Sequence, residues 1–253
     1  MEIAQGKNIY FASDQHFGAP TPALSAPREQ AFVAWLDHIK KDAAAVFLLG
    51  DLFDFWFEYK TVVPKGFVRV LGKLAELSDA GIPLHFFVGN HDMWMRDYLE
   101  KELNCRVYYT PQEFTLGEKS FFIAHGDGLG PHDHGYKRMK KIFKNPFFQW
   151  CFRWIHPDWG MRLGHYLSVK NKLISGDEDA VFLGNDEEWL AQYAHRKYSQ
   201  KPRDFFVFGH RHIPLDIRLN PQARYINLGD WIQHFTYATF DGNTMTLNTW
   251  KTR

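Results

Sequence analysis

Cysteine is scarce in this chain. Only Cys105 and Cys151 are present among 253 residues, and no Cys-x-x-Cys pair occurs. That excludes a disulfide framework or a cysteine-based zinc site, and it fits a reducing compartment. Uninterrupted apolar runs near the ~18 residues that a spanning helix needs are also missing. The first ten residues lack a basic start followed by an apolar core, so no signal peptide is expected. A soluble protein, or one resting on a membrane surface, is the expectation. Net charge is nearly absent: 30 basic residues face 29 acidic ones. No global field draws the chain to nucleic acid or membrane, so any basic partner site is local. Internal repeats and low-complexity segments are absent too.

Aromatics and histidines are plentiful. Aromatics make up 17% of the chain, and histidines number 13. Short apolar runs recur at residues 8–13, 45–50, 84–89, 120–124, 205–209 and 225–229. Such runs suit strands covered on both faces. The residues that follow them are Asp14, Asp51, Asn90, His125, His210 and Asp230. Helical patterns separate the early runs: residues 27–41 place Phe32, Trp35, Leu36 and Ile39 on one face, and residues 67–80 do the same with Val70, Leu71, Leu74 and Leu77. Strand alternating with helix predicts a layered α/β fold. In such sheets ligands gather beyond the carboxyl ends of the strands. Five of the six runs end there in a potential metal ligand. Polar residues commonly follow strands because turns are polar. Generic turns would supply Asn, Asp, Gly and Ser, rather than His125 and a His-x-His pair.

From about residue 129 to 200 the pattern changes. Lys137, Arg138, Lys140, Lys141 and Lys144 precede Phe147, Phe148, Trp150, Phe152, Trp154 and Trp159, with breaks at Pro146 and Pro157. This block reads as a helical cap inserted into one domain spanning 1–253. Aromatics at this spacing suit a core equally well. The tail, from Thr236, alternates like antiparallel edge strands around an Asp241-Gly242-Asn243 turn.

Five pieces carry chemistry: Asp14-Gln15-His16, Gly50-Asp51-Leu52-Phe53-Asp54, Gly89-Asn90-His91-Asp92, His125-Gly126-Asp127 and Gly209-His210-Arg211-His212. Mixed imidazole and carboxylate donors suit Mn²⁺, Zn²⁺ or Fe²⁺ better than Ca²⁺, which takes oxygen. Side chains two apart in extended backbone share a face, as Asp14 and His16 would. One such piece is weak evidence, whereas five at strand ends point to a metal site.

The five pieces resemble the calcineurin-like metallophosphoesterase superfamily, with its layered α/β/β/α fold. The resemblance implies two divalent ions, Mn²⁺ foremost. One would be held by Asp14, His16, Asp51 and His212, the other by Asp51, Asn90, His125 and His210. It implies in-line displacement at phosphorus between paired cations. His91 is then the expected general acid or phosphate contact, with Asp92 or Asp54 orienting its ring. Asp127 is expected to be structural.

Within that superfamily, Gly50-Asp51-Leu52-Phe53-Asp54-Phe55-Trp56, His125-Gly126-Asp127-Gly128 and Asp133-His134-Gly135-Tyr136 are similar to the UDP-2,3-diacylglucosamine pyrophosphatase family of lipid A biosynthesis. Membership implies a UDP-linked diacylated amino sugar as substrate, with UMP and 2,3-diacylglucosamine 1-phosphate as products. It also implies a cytoplasmic protein peripheral to the inner membrane, with no nucleic acid and no obligate protein partner. Trp56, Asp133, Tyr136, Ser168, Lys170 and Lys172 become candidate substrate contacts. The best-known branch of that family has arginine where this chain has His91. Two other readings compete: another phosphoesterase activity on the same site, and a non-catalytic scaffold.

Overall fold

The computed structural model describes residues 1–130, 134–175, 182, 184 and 187–251; the side chains of 134–137, 139 and 169–175 lie outside that description. Two sheets face each other. The first has six strands: β1 (Asn8–Ala12), β2 (Ala43–Leu48), β3 (Leu84–Phe87), β4 (Arg106–Tyr108), β10 (Thr236–Phe240) and β11 (Met245–Thr249). Their order is β11-β10-β1-β2-β3-β4, and β1 to β4 run parallel. The second holds β5 (Gln112–Leu116), β6 (Lys119–Ile123), β7 (Phe205–Phe208), β8 (Pro214–Asn220) and β9 (Ala223–Leu228), in the order β5-β6-β7-β9-β8. There β6, β7 and β9 are parallel.

Alternation along each strand builds the layers. Tyr10, Ala12, Val46 and Leu48 face one core with Phe32, Trp35 and Leu36 of α1 (Pro22–Ile39), Leu71 and Leu74 of α2 (Val68–Asp79), and Leu99 and Leu103 of α3 (Tyr98–Leu103). Their neighbours Ile9, Phe11, Ala45 and Phe47 face a second core, shared with Phe205, Val207, Ile226 and Leu228 across the sheets. Phe206, Phe208 and Tyr225 face a third, closed by Leu190, Ala191 and Ala194 of α7 (Trp189–Gln200). Helix, sheet, sheet and helix therefore stack in that order. The continuous apolar runs follow, because both faces of the inner strands are buried.

Between β6 and β7 lie α4 (His134–Phe143), α5 (Pro146–Arg153) and α6 (Pro157–Ser175), before α7. The sequence placed all of 129–200 in one insertion, yet α7 packs on the second sheet as an ordinary outer helix. Among the described residues, the helices outside the sandwich are α4, α5 and α6. No residue of α5 is buried. Phe147, Phe148, Trp150, Trp154 and Trp159 are exposed, Trp154 to 76%. These aromatics form an open surface rather than a core. Among the described residues, no helix is long and apolar enough to cross a membrane.

Helix α1 begins at Pro22, capped by Thr21, whose Oγ1 accepts from the Leu24 N–H. The sequence pattern placed its start near Pro27, which instead lies within the helix.

Candidate metal centre

All the parallel strands deliver their carboxyl ends to one side. Asp14 and His16 follow β1, Asp51 follows β2, Asn90 follows β3, His125 follows β6, and His210 and His212 follow β7. Five of these seven take the left-handed backbone region: Asp14, His16, Asp51, His210 and His212 have φ between 46° and 72°. Side-chain-bearing residues rarely adopt it, at a cost of roughly 1–2 kcal/mol each. Neighbouring strand ends hold the strain. The Asp14 N–H donates to Gly50 O, the His16 N–H to Asp51 O and the His210 N–H to Asp14 Oδ2. The turns also touch backbone to backbone. A Cβ on Gly50 would sit 2.8 Å from Gly89 N, so glycine is required where β2 and β3 end.

The donor atoms converge. His16 Nε2 lies 3.2 Å from His212 Nε2 and 3.6 Å from Asp51 Oδ2. His212 Nε2 is 3.4 Å from Asp14 Oδ1. His125 Nε2 is 3.3 Å from Asp51 Oδ2 and 3.0 Å from Asn90 Oδ1. His210 joins Asp51 and His125 within one set of mutually close donor atoms. Donors about 2.1 Å from a shared ion stand about 3.0–3.4 Å from one another, so these separations fit cation coordination.

Two further observations test that fit. His16 turns Nδ1 toward Asp54 Oδ1 at 3.5 Å, and His212 turns Nδ1 toward Asp230 Oδ2 at 3.4 Å. A neutral imidazole whose Nδ1–H faces a carboxylate keeps only a lone pair at Nε2. Two such lone pairs at 3.2 Å repel unless positive charge lies between them. Second, Asp14 Oδ1 is buried and has no hydrogen-bond partner among the described residues. An orphaned carboxylate oxygen is costly without a cation. His125 completes the pattern, with Nδ1 2.6 Å from Leu49 O, leaving Nε2 for the site.

The electrostatics agree. Asp14, Asp51, Asp54, Asp92, Asp127 and Asp230 are all buried in a chain of almost zero net charge. Burial raises the Asp14 carboxyl above the ordinary carboxylate range, against the pull of His212 and His125. Asp51 is also buried, but His125, His91 and His16 around it outweigh burial and hold its carboxyl well below that range. Burial disfavours charge on His125, yet Asp51 and then Asp14 raise it to about 10. The cluster demands positive charge, which protons or cations can supply.

Other residues predicted from sequence fall differently. His91 sits over the site, its N–H donating to Asp51 Oδ1 at 2.8 Å and its ring 4.6 Å from that of His16. Asp92, expected at the chemistry, accepts from the N–H groups of Gly89 and Leu52 through its two oxygens. It pins the β3 turn to the β2 turn; burial and then the Asp51 charge hold its carboxyl up at about 7. Asp54 is the carboxylate beside the His91 ring, at 3.7 Å from Nδ1. Trp56 is a correction. It is fully buried, stacks on Phe53 and donates its indole N–H to Glu58, so it belongs to the core. Ser168 is buried, with Oγ donating to Asp54 Oδ2 at 2.9 Å. Asp133 lies outside the described residues. Tyr136 falls in α4, and Lys170 and Lys172 in α6, where their side chains lie outside the description. Asp127 is paired with Lys140.

Sequence reasoning missed two groups that place ligands. Asp230 orients His212, and it follows the same apolar-run-then-glycine signal as Asp51 and Asn90. Arg28 donates to His16 O at 2.7 Å and Ala19 O at 2.6 Å, bracing the turn that carries His16. An arginine on a helix carries no local sign of that role.

The family model for calcineurin-like phosphoesterases matches residues 7–214. The chain belongs to that family. It is 40% identical to a UDP-2,3-diacylglucosamine hydrolase from Porphyromonas gingivalis, over 94% of this chain and 96% of that one. A protein of the same name from Haemophilus influenzae is 26% identical, over 90% and 92%. Among solved structures, a phosphoesterase from E. coli aligns with a TM-score of 0.47 at 15% identity, covering 96% of this chain and 93% of that one. Family membership and the donor clusters make the protein a metal-dependent phosphoester hydrolase.

Proposed function

We propose that the protein hydrolyses the pyrophosphate of UDP-2,3-diacylglucosamine, giving UMP and 2,3-diacylglucosamine 1-phosphate in lipid A biosynthesis. The observation that carries this reading is the 40% identity, across nearly the whole of both chains, to a relative named for that hydrolysis. Asp14, His16, Asp51 and His212 would hold one cation, and Asp51, Asn90, His125 and His210 the other. Mn²⁺ suits this mixture of carboxylate, imidazole and amide donors. When bound, such a pair supplies Lewis acidity and positive charge at the phosphoryl group.

The chain's own residues do the rest. Asp51 stands between both donor groups and is held there by the His91 N–H. Leu49 O and Asp230 aim His125 and His212 so that Nε2 faces inward. His91 faces the same space, where its ring meets the phosphate and serves the leaving oxygen as a proton donor. Asp92 keeps the His91 turn in place through backbone bonds.

The exposed aromatic surface of α5 and α6 supports an acylated substrate drawn from a membrane. Phe147, Phe148, Trp150, Trp154 and Trp159 lie open beside exposed Lys141 and Lys144. Aromatic rings with neighbouring cations suit the interfacial layer of an anionic bilayer. On this reading the protein works from the cytoplasmic side, peripheral to the inner membrane.

Mass spectrometry of the products with Mn²⁺ present tests the proposal. UMP and the diacylated sugar phosphate are expected, at rates far above those for unacylated UDP-sugars. Equal rates would remove acyl recognition. Turnover of simple phosphodiesters alone would point to another phosphoesterase activity, and no turnover of either would favour a scaffold.

A further inference from the structure

We propose that Ser168 is a positioning residue that fixes the His91 ring, and that α6 is seated on the site to deliver it. The proposal rests on the reading of His91 as the group that meets the phosphate. Three small residues, Gly160, Gly164 and Ser168, recur every four positions along α6 and so share one face. A Cβ on Gly160 would collide with the Tyr59 hydroxyl, and one on Gly164 with the Phe55 ring. Both aromatic partners lie in the segment after β2 that also carries Asp54. The glycines therefore let α6 approach that segment closely. One turn further on, Ser168 is 7% exposed and reaches the site.

The contacts there set the protons. Ser168 Oγ is 2.9 Å from Asp54 Oδ2 and 3.1 Å from His91 Nδ1. Its one proton goes to the carboxylate, which only accepts. The serine oxygen then offers His91 a lone pair, and Asp54 O offers another at 2.9 Å from the same Nδ1. Both neighbours of Nδ1 accept, so Nδ1 carries the hydrogen. Nε2 is left as the nitrogen presented to the phosphate, and in the doubly protonated ring it carries the hydrogen that passes to the leaving oxygen. His165, also on α6, places Nδ1 3.6 Å from Asp54 Oδ2 and steadies the same carboxylate. The expectation that Ser168 touches substrate gives way to a role exerted through His91.

The test compares Ser168→Ala, Ser168→Thr and Gly164→Ala in the metal-loaded protein, on the acylated UDP-sugar and on a chromogenic phosphodiester. Ser168→Ala is expected to lower kcat roughly tenfold, about one hydrogen bond's effect, with KM nearly unchanged. Ser168→Thr keeps the hydroxyl and is expected to restore kcat. Gly164→Ala lifts α6 and should lower kcat similarly, with little added loss in the double variant. The phosphodiester arm keeps the test independent of the substrate assignment. A second readout needs no turnover. Nitrogen NMR of the zinc-loaded protein, with the His91 signals assigned by their loss in His91→Gln, should show hydrogen on Nδ1 in wild type and a changed ring in Ser168→Ala. A rise in KM alone would make Ser168 a substrate contact and overturn the proposal. Unchanged kcat, or an unchanged His91 ring, would overturn it as well.

Discussion

Gly89→Ala puts the smallest side chain at the point where two ligand-bearing turns meet. A Cβ there would stand 2.6 Å from Asp51 N and 2.8 Å from Asp51 Cγ. Comfortable contacts between such atoms are about 3.5 Å, so Asp51 must retreat by roughly 1 Å. Backbone forms part of the obstacle, and rotating a side chain cannot relieve it. The Gly89 N–H also donates to Asp92 Oδ1 at 2.7 Å, so displacement strains the bond that ties the two turns together. Overpacking of this kind costs about 1–3 kcal/mol, which lowers Tm by several degrees in a chain of this size. The effect on turnover should be larger. A shift of about 1 Å in a reacting constellation can cost ~100-fold, and Asp51 serves both donor groups. Gly72→Ala in α2 is the matched comparison, because nothing lies within 4 Å of its added Cβ. That variant should gain up to about 1 kcal/mol of stability with unchanged activity. Hydrolysis of a chromogenic phosphodiester with Mn²⁺, calorimetric metal binding and thermal melts would be measured on both. Wild-type metal affinity and turnover in Gly89→Ala would refute the reasoning.

Three other perturbations separate the parts. Asp51→Ala should abolish metal-dependent hydrolysis while the fold persists by circular dichroism; normal turnover would reject Asp51 as the shared ligand. Glu188→Ala takes one carboxylate from the buried Arg211 guanidinium, whose Nε lies 3.2 Å from Glu188 Oε1; Arg211 stands between His210 and His212 in the sequence. Loss of these charge-assisted bonds should cost about 1.5–3 kcal/mol in denaturant unfolding, and an unchanged midpoint would contradict it. His85 is held down at about 4, first by burial and then by the Arg106 charge. A pKa below the ordinary 6.5 means that the unfolded chain takes the proton first, so stability is full above pH 6.5 and falls as pH drops toward 4. The loss reaches roughly 2–3 kcal/mol. His85→Phe keeps the stack on Phe47 and should flatten stability between pH 4 and 6.5; an unchanged slope would assign the effect elsewhere.

The inner strands were legible because burial on both faces leaves an unmistakable apolar run, and the residue after each run marks the site. Strands β4, β5 and β8 were not legible. Arg106–Tyr108 is only three residues long, while Gln112–Leu116 and Pro214–Asn220 are partly exposed and mix polar with apolar residues. All seven candidate donors could be picked out from sequence, since each follows a strand-like run, and their side chains come together in the structure. The roles of Asp54 and Asp92 could not be separated, because both are aspartates beside a ligand. Only the geometry shows that Asp92 binds backbone while Asp54 faces the His91 ring. Trp56 misled for a related reason: it adjoins a chemical motif yet turns into the core. Helical spacing in α5 could not say whether its aromatics faced inward. Exposure had to be seen.

Anomalous diffraction from crystals grown with Mn²⁺ tests the central claim most directly. Two peaks about 3.5–4 Å apart are predicted, both within bonding distance of Asp51, one beside His16 and His212 and the other beside Asn90, His125 and His210. A single peak elsewhere, or no ordered manganese among these side chains, would contradict the account.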